Sequence, residues 1–122
     1  MRRTTKFAAL LAAGILALGA CGSDTASGVP GDTKLAEMST SEATDFCEWG
    51  IDAQGGAGAM HVCGDVTIYV QSVADCVSSF GTFPSDCAAT VAQGEACIDA
   101  LAADPCDLQA AACAPVYACL PQ

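Results

Sequence analysis

Nine cysteines carry most of the chemical potential of this sequence: Cys21, Cys47, Cys63, Cys76, Cys87, Cys97, Cys106, Cys113 and Cys119. From Cys47 onward the gaps between them are fifteen, twelve, ten, nine, eight, six and five residues, so no two stand as Cys-x-x-Cys. Zinc ribbons and thioredoxin-like redox sites need thiols within one turn of each other, and this spacing offers none. The eight cysteines after Cys21 form an even set in a short chain, the pattern of four structural disulfides made in an oxidising compartment.

The remaining reactive side chains lack the neighbours that catalysis needs. His61 is the only histidine and stands between Met60 and Val62 in an apolar run. No serine has a Gly-x-Ser-x-Gly setting, so a nucleophile and its base are both missing. Glu48 with Asp52, and Glu95 with Asp99, have i, i+4 spacing. That spacing reads as solvated helix faces rather than an acid and base pair. No Asp-x-Asp-x-Asp-Gly loop is present for calcium. The expectation is a protein that is not an enzyme, with no cofactor and no dedicated metal site.

Cys21 has a different setting. Arg2, Arg3 and Lys6 precede an uncharged apolar run from Phe7 to Ala20. Its fourteen residues would span about 21 Å as a helix, short of the roughly 30 Å hydrocarbon core, so a secretory signal is the better reading than a membrane span. The run ends Leu18-Gly19-Ala20-Cys21, which resembles the lipobox of bacterial lipoproteins. The resemblance implies diacylglycerol in thioether linkage to Cys21, cleavage after Ala20 and acylation, with palmitate or a similar chain, of the new amino terminus. Gly22 in place of aspartate implies outer-membrane sorting under the enteric rule. As a whole the chain resembles the short cysteine-rich predicted lipoproteins of large bacterial genomes, a class that implies export and anchoring but no particular chemistry.

Removal of residues 1–20 leaves 102 residues and one lysine, Lys34, against fourteen acids, a formal charge of −13. Such a surface repels phosphate backbones and excludes nucleic acid as a partner. A domain this small buries little apolar area, so disulfides are the expected reinforcement.

The elements that must position the cysteines follow from periodicity. Residues 21–38 comprise the lipidated cysteine and, in the polar glycine- and proline-broken stretch Gly22 to Asp32, a flexible tether. Ser39 with Glu42 fits a capping box, and Ala43, Phe46, Cys47, Gly50 and Ile51 then fall on one helical face until Gly55-Gly56. Gly64-Asp65 links two short apolar runs, Met60 to Cys63 and Val66 to Tyr69, as a hairpin. Ser72 caps a second helix bearing Val73, Cys76, Val77 and Phe80. A third helix is expected from about Ser85 to Ala103 through Cys87, Val91, Gly94, Ile98 and Leu101, with Gly94 admitting a close neighbour. Asp104-Pro105 reads as the start of a last helix over Cys106 to Cys113, ended by Pro115, with Cys119 pinning the tail.

The fold class is therefore mainly α: three to four short helices and one hairpin, stapled by disulfides over residues 39–122. On one continuous helix Cys87 and Cys97 would lie about 15 Å apart, beyond the roughly 7 Å reach of a disulfide, which excludes that pair and leaves the other pairings open. The functional expectation is a lipid-anchored envelope module, with no biochemical activity assigned by the sequence, that contributes to surface structure or contacts another protein. The alternative is a module binding a small ligand or a cation through its acidic surface. Trp49, at the edge of the first helix's apolar face, is the candidate binding anchor, although core packing is its commoner role.

Overall fold

The computed structural model describes residues 26–121. Cys21, the lipobox and Gly22 to Thr25 lie outside the described residues. Along the chain come a 3₁₀ turn (Leu35–Glu37), α1 (Thr40–Ala53), β1 (Met60–Cys63), β2 (Val66–Tyr69), α2 (Val73–Phe80), α3 (Val91–Ala103), a second 3₁₀ turn (Ala111–Cys113) and α4 (Ala114–Tyr117). The domain is mainly helical with one antiparallel hairpin, and four disulfides staple it: Cys47–Cys76, Cys63–Cys106, Cys87–Cys119 and Cys97–Cys113.

Helix α1 begins where its cap is encoded. The Ser39 hydroxyl accepts from the Glu42 amide at 3.2 Å, and the Glu42 carboxylate accepts from the Ser39 amide at 2.8 Å. Both bonds satisfy amides that the first turn leaves without helical partners. Its buried face is Ala43, Phe46, Cys47, Gly50 and Ile51, the face read from periodicity. Ser72 caps α2 in the same manner, accepting from the Asp75 amide. The hairpin turns at Gly64 with φ +64°, while Asp65 keeps a negative φ, a turn that needs glycine at its first central position.

Three expectations require correction. Helix α3 starts at Val91 rather than near Ser85, because Thr90 and Gln93 form a second capping box. Cys87 therefore precedes the helix; its partner is Cys119 and not Cys97, but the helical spacing argued for that exclusion does not apply. No helix covers Cys106 to Cys113: Asp104 turns its carboxylate onto the Cys106 amide at 3.1 Å, and Pro115 sits inside α4 instead of ending a helix.

The third correction concerns the supposed tether. From Ala26 onward the chain is packed: Val29 and Leu35 are 1% and 2% exposed and belong to the main core cluster with Phe46, Cys87, Ala89, Val91 and Cys119. The amides of Leu35, Val91 and Ala92 donate to the carbonyls of Ala89, Thr33 and Gly31 at 2.9, 2.8 and 3.0 Å, so residues 31–35 run along the entry to α3. The packed domain thus begins about a dozen residues before Ser39. Two apolar side chains decide this in a stretch whose average composition is polar.

Cores are small and each contains a cross-link. Cys87–Cys119 lies in the main cluster, Cys47–Cys76 in one with Ile51 and Val70, and Cys97–Cys113 in one with Ala110. Helices α1 and α3 meet through glycine. A Cβ on Gly94 would stand 2.9 Å from Phe46 Cζ and 3.3 Å from Leu35 Cδ2, both buried. Gly94→Ala gains up to about 1 kcal/mol of helix propensity but overpacks a buried ring, which costs about 1–3 kcal/mol. Net destabilisation is expected in urea unfolding; a rise in stability would show that Phe46 yields freely.

Candidate functional site

The cysteines come together pairwise as structural bridges, and three of the four are buried. The exception is Cys63–Cys106, whose Cys106 is exposed and whose Cys63 is half-buried on the hairpin. It fastens the hairpin to the turn-rich segment that follows α3.

Register sorts the hairpin's side chains. Met60 pairs with Tyr69 and Val62 with Thr67, while His61 pairs with Ile68 and Cys63 with Val66. Directly opposed residues share a face, so His61, Ile68 and Cys63 turn toward the domain and Met60, Val62, Thr67 and Tyr69 turn away. Exposure agrees: Met60, Val62 and Tyr69 are 64%, 74% and 65% exposed. Val66 beside the turn and Leu108, two residues past Cys106, are also exposed. Four of the six exposed large hydrophobics among the described residues thus lie on the hairpin, with Val66 on the face opposite Met60, Val62 and Tyr69, and a fifth, Leu108, follows Cys106 at the corner closed by Cys63–Cys106. Asp65, Asp104 and Asp107 flank that corner in sequence, all exposed.

His61 is placed by a backbone contact. Its Nε2 lies 3.1 Å from the Gln54 carbonyl, so Nε2 carries the proton and donates, tying the hairpin to the end of α1. That bond is structural: it joins the ring to a carbonyl and not to a carboxylate or hydroxyl that would orient it for catalysis.

Trp49 is half-buried. Its ring is 5.8 Å from that of Phe46, tilted by 59°, and packs against the main core cluster. The exposed apolar surface is on the hairpin instead of around Trp49, and sequence reasoning missed it. The signal was present: Met60 and Val62 alternate with His61 and Cys63, and a two-stranded sheet can cover only one face.

The carboxylates divide as well. Glu48, Asp52 and Asp99 are exposed, as expected of solvated helix faces. Glu95 is 8% exposed, and its Oε1 accepts from the Ser27 amide at 2.8 Å, holding the amino-terminal segment on α3. Glu95→Ala removes this buried hydrogen bond, a cost of about 1–3 kcal/mol. Hydrogen exchange is expected to speed up from Ser27 through Gly31, whereas Glu95→Gln keeps an acceptor and most of the protection.

Lys34 forms an exposed pair with Glu37 at 3.4 Å, of negligible energetic weight in water. Among the described residues no three of His, Cys, Asp and Glu converge to hold a metal ion, and no helix is long and apolar enough to cross a membrane. Compared with models of protein families, with curated proteins and with solved structures, the chain matches none.

Proposed function

We propose that this protein is an envelope lipoprotein, held at a membrane by lipid on Cys21, whose disulfide-stapled domain works by contacting another protein through the hairpin corner. The resemblance of Leu18-Gly19-Ala20-Cys21 to a lipobox supports the anchor, and Gly22 supports the outer membrane as its site. The observation that carries the contact surface is the group Met60, Val62 and Tyr69 exposed together on the outward face of the cross-linked hairpin. Scattered single apolar residues are ordinary on a protein surface, whereas a contiguous group rimmed by charge marks a recognition site.

The partner has complementary chemistry: aliphatic groups to cover Val62 and Tyr69, flanked by lysine or arginine facing Asp65, Asp104 and Asp107. Tyrosine supplies large contact area at small entropic cost. A photo-crosslinking residue at position 62 in intact cells is expected to give a discrete adduct that one at Ala74, on the exposed side of α2, does not. Replacing Tyr69 by Ser in the same chain should cut the adduct by about tenfold or more if Tyr69 anchors the contact. Equal labelling from positions 62 and 74, or indifference to Tyr69→Ser, contradicts the proposal.

A further inference from the structure

A second feature, independent of the hairpin corner, is a hollow between α1, α2 and α3. It is open to solvent on one side, holds about 170 Å³ and is walled by Phe46, Phe80, Phe83, Ile98, Leu35 and Val116. The three phenylalanine rings form one continuous edge-to-face wall, with centroids 5.4 Å apart for Phe46–Phe80 and 5.5 Å for Phe80–Phe83. None of the lining residues is charged, although the described chain holds thirteen carboxylates against one lysine. The wall is stiffened from behind by the Cys47–Cys76 bridge between α1 and α2 and by Gly94, which lets Phe46 and Leu35 press onto α3.

Two polar side chains touch the hollow. Ser79 is engaged, its hydroxyl donating to the Asp75 carbonyl at 2.9 Å. Gln71 is exposed at the boundary with a neighbouring hollow that shares Phe46, Cys76 and Ile98 as its wall. Its carboxamide can both donate and accept, so it suits a hydroxyl or carbonyl on an otherwise apolar molecule.

We propose that this hollow is a binding site for a small uncharged apolar molecule, the size of one aromatic ring or a six-carbon chain, with a single hydroxyl or carbonyl turned toward Gln71. The volume is of the size that suits the class, since closed apolar cavities of roughly 150 Å³ take up benzene, and here the open side leaves room for a polar end to reach Gln71. The lining excludes ions: a carboxylate would lose its hydration against phenyl rings with no cation to meet it, and an ammonium would find no lining carboxylate. Apolar ligand sites of this kind combine a hydrophobic wall with very few polar groups that set orientation.

The test uses the oxidised domain with four probes of equal length: 1-hexanol, hexanal, hexanoate and hexylammonium. Titration followed by NMR is expected to shift resonances of Phe80, Phe83 and Ile98 with hexanol and hexanal, and to do so at least about tenfold more weakly with either ion. Val116→Phe, which fills the hollow from α4, should abolish the shifts, and Ser79→Leu, on the exposed side of α2, should weaken them without touching the core. Shifts centred on the hairpin, equal shifts from the charged probes, or no shift at millimolar hexanol in the unmodified domain would each overturn the proposal. The mapping on the unmodified domain decides the question even if Val116→Phe fails to fold.

Discussion

Replacing Cys47 and Cys76 together by alanine is expected to lower the unfolding free energy by about 3–5 kcal/mol, a large share of the roughly 5–15 kcal/mol that holds a typical domain folded. The same double replacement at Cys63 and Cys106 should cost less, even though that bridge closes the longer stretch, 43 residues against 29. In the loop-entropy model the difference in length favours the longer bridge by only about 0.3 kcal/mol. Burial decides the order. Cys47 and Cys76 are packed with Ile51 and Val70 between α1 and α2, so their loss adds a cavity to the lost constraint. Cys106 is exposed, and its loss opens no core. Urea unfolding of the two double variants measures the order directly, and a larger loss from the Cys63–Cys106 pair would contradict it. The exposed bridge should also be the first to yield to a mild dithiol.

A Cys21→Ser chain, exported behind a signal cleaved by the ordinary secretory peptidase, is expected to leave the membrane fraction completely. The exchange of signal matters, because a serine that cannot take up lipid would otherwise leave the apolar run Phe7 to Ala20 attached. Each buried methylene of an acyl chain adds about 0.8 kcal/mol, so several chains on one residue outweigh any surface contact this acidic domain can make. The described residues offer no helix able to replace that anchor. Fractionation with and without high salt checks the expectation; retention of the Cys21→Ser protein on membranes in high salt would show that something other than lipid holds it.

Legibility in the sequence tracks how local the determining interaction is. Helix α1 is readable to the residue because Ser39, Glu42 and the apolar face all lie within its own fourteen residues and their cap. The hairpin is readable because Gly64 supplies the one backbone conformation its turn requires. The start of α3 is easily misplaced because Cys87 lies four residues before Val91 and mimics one more turn, masking Thr90 and Gln93, the same capping pattern as in α1. The Asp104-Pro105 start signal fails because both ends of the following segment are cross-linked elsewhere, Cys106 to Cys63 and Cys113 to Cys97. Those constraints override a local preference for helix.

Long-range contacts are the hidden part. Nothing near Val29 or Leu35 announces that the Val91 amide bonds to the Thr33 carbonyl, or that the amide of Ser27 meets Glu95 across 68 positions. The cysteine pairing is likewise a property of the packed clusters, since spacing alone favours no arrangement. The surface proposed for recognition sits between these extremes. Its strands are visible in the sequence, but which of their faces turns outward depends on the bridge from Cys63 to Cys106.

The most direct test of a lipid-anchored, four-disulfide domain is the intact mass of the native protein extracted in detergent, taken after thiol alkylation with and without prior reduction. The expected result is a chain beginning at Cys21, heavier than its residues by the mass of the attached lipid, with no alkylation before reduction and eight alkylated cysteines after it. A mass without lipid, or cysteines that react before reduction, would contradict it.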